Sequence, residues 1–304
     1  MIKGLAITPP VLGRISIGKV VEKNGKRLPE KDDQFTVTTQ VQTKEGWMLH
    51  PLDETLRQTS NGGKIRSIPI RVMFNDPDLN LRAEYSLFDR QTGRPMCVGN
   101  GETCKRVGLE GLQSLPCPSP SGCDYGAKAG CKPYGRLNVQ IEGMDDAMGS
   151  FIFRTTGFNS IRTIAARLSY FQAVSGGLLA CMPLSMKLRA KSTTQSHRAP
   201  VYYVDITTRE GMTLEQAITE AKVLHEQRIK IGHDQNALDN AAKVGFENGA
   251  FEETEEDTPE VLEEFFSEQT EGTSTGTGAG AATKGKPSLQ EKLEHKAQAN
   301  EVTA

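Results

Sequence analysis

Apolar and polar residues alternate with a period of two through much of the first half of the chain, the pattern of half-buried β-strands. Phe35-Thr36-Val37-Thr38-Thr39-Gln40-Val41 shows it. Ile68 to Phe74 is a second apolar run, and Pro69 within it predicts an edge strand or the first position of a strand. Tyr85-Ser86-Leu87-Phe88 and Met96-Cys97-Val98 flank a turn sequence, Asp89-Arg90-Gln91-Thr92-Gly93, and predict a hairpin. Leu137 to Ile141 and Phe151 to Thr155 predict another. The period then changes to 3.6. Ile161, Ile164, Leu168 and Phe171 predict a helix over 161–174, capped by Asn159 or Ser160 and ended by Gly176-Gly177. Two more strands follow, Leu184/Met186/Leu188 and Val201 to Ile206, joined by a polar, basic loop from Lys191 to Pro200. Thr213 with Gln216 has the form of a capping box before a helix at about 214–230. Residues 1–246 therefore predict an α+β body, antiparallel and β-rich, with one or two packed helices.

Charge divides the chain at the same place. Residues 1–246 carry 32 Lys/Arg against 24 Asp/Glu, and residues 247–304 carry 4 against 14, so the net charge of −2 joins a basic body to an acidic tail. Residues 247–271 hold eleven acids and no Lys or Arg, and 272–285 are Gly, Ser, Thr and Ala apart from Lys284. Such a composition buries too little apolar surface to offset ordering entropy, so the tail 247–304 is expected to be mostly disordered. Val261, Leu262, Phe265 and Phe266 are the exception. Within Pro259–Gln269 their spacing fits one face of a short helix, read either as part of a solvating tail or as an acidic amphipathic hook for a partner; a second short helix is expected at about 288–298. No apolar run reaches the ~18 residues of a membrane span, and the start of the chain lacks a secretory signal, which predicts a cytoplasmic protein with no membrane partner.

Five of the six cysteines lie between 97 and 131, in a segment rich in Pro and Gly. In a reducing cytosol clustered thiols bind metal more often than they form disulfides. Cys104, Cys117, Cys123 and Cys131 are the candidate ligands of one structural zinc ion, with Cys97 the alternative to Cys104. Reduced structural thiols and a disulfide or redox role are the competing readings. A catalytic zinc would need an open position and a general base, and no HExxH or HxE…CxxC motif is present. His197, His225 and His233 are scattered, and Cys181 reads as a core thiol. Lys132, Arg136, Arg154, Arg162, Arg167, Lys187 and Arg189, with Lys191 and Arg198, are candidate contacts for a nucleic acid or a partner, a solvated basic surface being the competing reading; Tyr134 and Tyr170 are candidate stacking rings, with core or loop packing the alternative. Asp145-Asp146 reads as a polar turn. No Walker loop, GxGxxG, GxSxG or kinase signature occurs, so an enzyme has no motif behind it.

Three segments resemble one known family. They are Gly13-Arg14-Ile15-Ser16-Ile17-Gly18, the cysteine segment, and Gly130-Cys131-Lys132-Pro133-Tyr134-Gly135-Arg136-Leu137-Asn138-Val139, which runs on to Phe153-Arg154-Thr155-Thr156-Gly157. Over roughly residues 1–210 the chain is similar to the recombination directionality factor-like family of phages and integrative conjugative elements, whose relatives also carry the label "hydrolase or metal-binding protein". The resemblance implies a non-catalytic protein that binds an integrase and switches integration to excision, by favouring one integrase–DNA conformation over another. The cysteines that match the family's metal loop are Cys104, Cys117, Cys123 and Cys131. Three functions follow as expectations: a zinc-stabilised accessory protein binding an integrase or another DNA-processing protein of a mobile element; a nucleic-acid-binding protein whose acidic tail recruits partners or screens the basic face; and a metal-dependent hydrolase. The oligomeric state is left open.

Overall fold

The computed structural model describes residues 10–23, 26–44, 46–144, 146, 148–192, 194, 198–246, 262, 265 and 266. Three N-terminal strands, β1 (Val11–Lys23), β2 (Lys26–Thr43) and β3 (Gly46–Leu49), form a meander that ends in helix α1 (Pro51–Thr59). Strand β4 (Ser67–Arg71) and the single turn α2 (Pro77–Asn80) lead to β5 (Leu81–Phe88) and β6 (Pro95–Gly99). The cysteine segment continues as β7 (Thr103–Gly108), β8 (Gly111–Pro116), α3 (Ser119–Gly122) and α4 (Asp124–Ala129). After it come β9 (Lys132–Ile141), β10 (Ser150–Thr155), α5 (Phe158–Val174), β11 (Leu184–Ser192), β12 (Pro200–Thr208), α6 (Leu214–Lys230) and α7 (Gln235–Phe246).

The large sheet has the order β3-β2-β1-β10-β9-β5-β6-β7-β8, and β4 joins β9 to the β11–β12 hairpin. Because side chains alternate along a strand, register sorts every residue onto one of two faces. Ile15, Phe35, Val37, Leu81, Leu137, Val139, Phe151 and Phe153 share one face and are essentially buried. Against them pack Ile164, Leu168 and Phe171 of α5 and the apolar side of β4, β11 and β12, making one core. Gly135 lets α5 approach β9, since a Cβ there would lie 2.9 Å from Ile161 Cγ1. Helix α6 is tied to the sheet by an ion network in which Arg71 meets Glu142 at 3.2 Å and Glu220 at 2.5 Å, and Arg209 pairs with the same two acids.

Both predicted hairpins form, β5–β6 and β9–β10. So does the β11–β12 pair. The capping box of Thr213 and Gln216 starts α6 with both hydrogen bonds in place. Four expectations need correction. The sheet is mixed rather than antiparallel, because β1 runs parallel to β10, with Gly13 beside Phe151 and Ile15 beside Phe153. The other edges of these strands are taken by β2 and β9, and the parallel register puts Ile15 and Phe153 together in the core. Pro69 is not on an edge strand: β4 is flanked by β11 and β9. Its missing N–H is tolerated because the β9 ladder begins only at Ile70, and its carbonyl accepts from Glu142 N–H at 3.0 Å. Neither Asn159 nor Ser160 caps α5, whose N-cap is Gly157. Asn159 Oδ1 accepts instead from Lys191 Nζ at 2.7 Å, and Ser160 Oγ from Val204 N–H at 3.1 Å, so both side chains serve the β11–β12 hairpin. The segment read as a cysteine loop is largely regular, two strands and two short helices.

Of the tail, Leu262, Phe265 and Phe266 are described. Phe265 is buried, and Phe266 N–H donates to Leu262 O at 3.0 Å, one helical turn at the expected place. The rest of the expected hook, the segment at 288–298, His197 and Asp145 lie outside the described residues. Asp146 accepts from Met148 N–H at 2.8 Å, as a turn residue does. Among the described residues no helix is long and apolar enough to cross a membrane.

Candidate functional site

The cysteine cluster is assembled by strand register and two glycines. Cys97 on β6 sits opposite Leu87 and Arg106, and Gly99 sits opposite Cys104. Strands β7 and β8 fold back through Gly111, whose φ of 104° requires glycine. That return places Cys117 just beyond β8, its N–H donating to Glu102 O at 2.8 Å. A Cβ on Gly99 would stand 2.6 Å from Cys104 Cβ and 2.8 Å from Cys117 Sγ, so glycine is what lets this pair close. A second pair forms around α4. Cys123 is its N-cap, with Sγ accepting Gly126 N–H at 3.3 Å, and the helix ends at Gly130 in the left-handed conformation. Cys131 N–H then donates to Gly126 O at 2.8 Å, and a Cβ on Gly126 would meet Cys131 Cβ at 3.1 Å and Cys123 Sγ at 3.5 Å.

Both pairs and Cys97 line one cavity of about 20 Å³, room for one water-sized body. Arg106 enters the cavity, its guanidinium 4.3 Å from the Tyr125 ring centre and 3.6 Å from Cys123 Sγ. The six cysteines are free thiols. Burial, reinforced by Cys97, pushes the Cys104 thiol up to about 11. Burial and the crowding of Cys97, Cys117, Cys123 and Cys104 push Cys131 up to about 12. The Gly126 N–H and the Arg106 charge pull Cys123 the other way, below its ordinary 9.0. These thiols are therefore close enough to oppose one another's ionisation, a situation a shared dication reverses. Among the described residues no group of three or more His, Cys, Asp or Glu side chains is arranged to hold a metal ion, these thiols included. Cys181 lies elsewhere, buried in the core with Sγ 3.6 Å from Arg228.

The seven basic candidates separate into two groups. Arg167 and Arg189 converge on Asp205 at 3.0 and 3.2 Å, Lys187 lies 3.9 Å from Glu210, and Arg162 is exposed on α5. Lys132, Arg136 and Arg154 instead share the outer face of the large sheet, turned away from the core. There register adds Arg82 and Glu84, which the sequence reading did not single out, to Arg136 and Arg154. Arg82, Arg136 and Arg154 stand directly opposite one another on β5, β9 and β10. Glu84 bridges two of them, 3.8 Å from Arg82 and 3.1 Å from Arg136. Arg14, beside Ile152 on the same face, lies 4.6 Å over the ring of Trp47, the one tryptophan of the chain. At the other end Phe88 and Tyr134 meet edge to face at 5.2 Å. Tyr170 is half exposed on α5, against Phe171. The signal that finds the outer face is strand parity: Arg82, Glu84, Ser86 and Phe88 alternate with apolar or small residues just as Lys132, Tyr134 and Arg136 do.

Residues 12–209 match the family model for Gp3-like proteins, described as recombination directionality factor-like. No curated protein matches the chain. No solved structure matches it either.

Proposed function

The chain belongs to the recombination directionality factor-like family, and from that premise we propose that it is a zinc-stabilised, non-catalytic accessory protein of a phage or integrative element. It acts in the cytoplasm by binding an integrase, or another DNA-processing protein of the element, and biasing which recombination proceeds. Cys104, Cys117, Cys123 and Cys131 hold the metal, and Cys97 is the alternative for Cys104. The observation that carries the zinc reading is two glycine-gated thiol pairs facing one cavity of about 20 Å³. Thiolates are the donors zinc prefers in structural sites, and among the described residues the cavity lining carries no carboxylate or imidazole to serve as a general base. When bound, zinc supplies a cross-link between the β7–β8 hairpin and the start of β9. The protein's own contribution is placement: Gly99 and Gly126 set the pairs, and Arg106 favours the thiolate form of Cys123.

Partner binding follows from effector logic. A factor without chemistry changes an outcome only by binding one recombinase–DNA state better than another. The test has two parts. Metal analysis of the purified full-length protein should find one zinc per chain, falling on Cys117→Ser and unchanged on Cys181→Ser. Co-elution with the integrase of the same element, and a shift from integration to excision in its recombination assay, should both occur. A metal-free protein of unchanged stability would sink the clip, and absence of any integrase effect would sink the partner.

A further inference from the structure

We propose that the outer face of the large sheet binds single-stranded nucleic acid, and that the chain's own Phe265-Phe266 segment occupies this face in cis. The inference goes beyond the integrase reading and does not depend on it. Neighbouring strands lie about 4.8 Å apart. The backbone positions of Arg82, Arg136 and Arg154 thus repeat at that interval across β5, β9 and β10, with Glu84 between the first two. Phe88 and Tyr134 flank the row on the same face. A repeating cationic track with rings beside it is the chemistry that grips an anionic polymer and stacks its bases. A single carboxylate hook needs no such repeat, which favours a nucleic acid strand over an acidic peptide as the ligand in trans.

What sits there in this structure has the same chemistry in miniature. Phe265 packs edge to face on Phe88 at 4.8 Å, lies 6.0 Å from Tyr134 and is itself buried. Lys132 Nζ lies 4.8 Å from the Phe265 ring centre, and Arg90 lies 4.9 Å from that of Phe266. The two rings are embedded in a stretch, 247–271, that carries eleven acids and no basic residue. Rings in place of bases and carboxylates in place of phosphates make this segment a tethered competitor. A tether of this length holds it at an effective concentration of about a millimolar.

The test is fluorescence anisotropy of a labelled 20-mer of oligothymidylate against the full-length chain at low and moderate salt. Phe265→Ala with Phe266→Ala should tighten binding about tenfold, because the tethered competitor is lost. A second variant keeps the rings and changes Glu252, Glu253, Glu255, Glu256, Glu263 and Glu264 to Gln; it should tighten binding too, without disturbing the ring packing. Adding Arg136→Ala and Arg154→Ala to the glutamine variant should abolish the gain and lower the salt slope by about 1.4, for two phosphates lost. If the ring variant does not fold, the glutamine variant decides. Folded variants that bind the oligonucleotide no better than wild type would overturn the proposal. So would binding of a synthetic acidic diphenylalanine peptide, with none of the oligonucleotide, to the glutamine variant.

Discussion

The two faces of strand β9 support opposite kinds of construction. Cys131, the residue just before it, lines the cavity of five thiols, while Lys132, Tyr134 and Arg136 share the face of the arginine row. The thiol cluster is local: every member comes from residues 97–131, brought together by a hairpin and a six-residue helix. The arginine row is non-local, drawn from β1, β5, β9 and β10, and exists only because register aligns strands far apart in the chain. The thiol cluster packs against a small separate core of Leu87, Met96 and Leu115, so a metal cross-link would add most there. A row on a central sheet is held by the core beneath it and needs none. The two regions should therefore fail independently.

The largest effect expected is from Cys131→Ser. It should release zinc and lower the melting temperature by about 10 °C, several kcal/mol in a body of this size; metal content and melting equal to wild type would erase the contrast between the faces. Next is a pair of glycine substitutions, each about 1–3 kcal/mol from overpacking. Gly99→Ala pushes a Cβ against Cys104 and Cys117 and should reduce zinc affinity as well, while Gly135→Ala presses on Ile161 and should leave metal binding intact. Equal zinc loss in both, measured by competition with a chromogenic chelator, would show that the cluster depends on the core. Arg136→Ala removes the closer partner of Glu84 and should cost about 1–2 kcal/mol in chemical denaturation with full zinc retained. The smallest effect concerns Glu220. Burial opposes its ionisation, but hydrogen bonds from Arg209 and Arg71 outweigh that, so the folded group titrates below its ordinary 4.5. A depressed carboxylate stabilises the fold above pH 4.5, and the contribution disappears as pH falls through the folded value. Glu220→Gln should lower stability by about 1 kcal/mol at pH 7, since the pair is partly exposed, and the two melting curves should converge as pH falls through the folded value. A gap that persists in acid would assign the effect to packing.

How much the sequence revealed follows the same division. The thiol cluster was legible because its members are neighbours in the chain, although their setting was not: Cys104 occupies a strand, and the Pro-rich stretch Pro116–Gly122 conceals a return turn and a short helix. Helix α6 was legible down to its cap, since Thr213 and Gln216 satisfy each other within one turn. The α5 cap was misread because Asn159 and Ser160 are claimed by partners 32 and 44 residues away, which no local pattern records. Strand β1, helix α1 and helix α7 went unpredicted. In β1 the alternation is interrupted by Gly13 and Gly18, and Gly13 is needed because a side chain there would collide with Thr38 O and the Phe151 ring. Charge alone does not separate the Arg136–Arg154 face from Arg167 and Arg189 at Asp205; strand parity and register do.

The parallel seam between β1 and β10 also sets a timetable for synthesis. Val11 emerges from the ribosome with the first strand, but its ladder partner Ser150 follows about 140 residues later, roughly 7 to 28 seconds at ordinary translation speeds. Through that interval the nascent meander can pair internally while the edge of β1 that later pairs with β10, from Val11 to Ile15, has no neighbour to close it. Unclosed edges of this kind recruit other chains. The rate at which β10 arrives therefore governs how much newly made protein reaches its native sheet rather than joining a neighbour still on the ribosome.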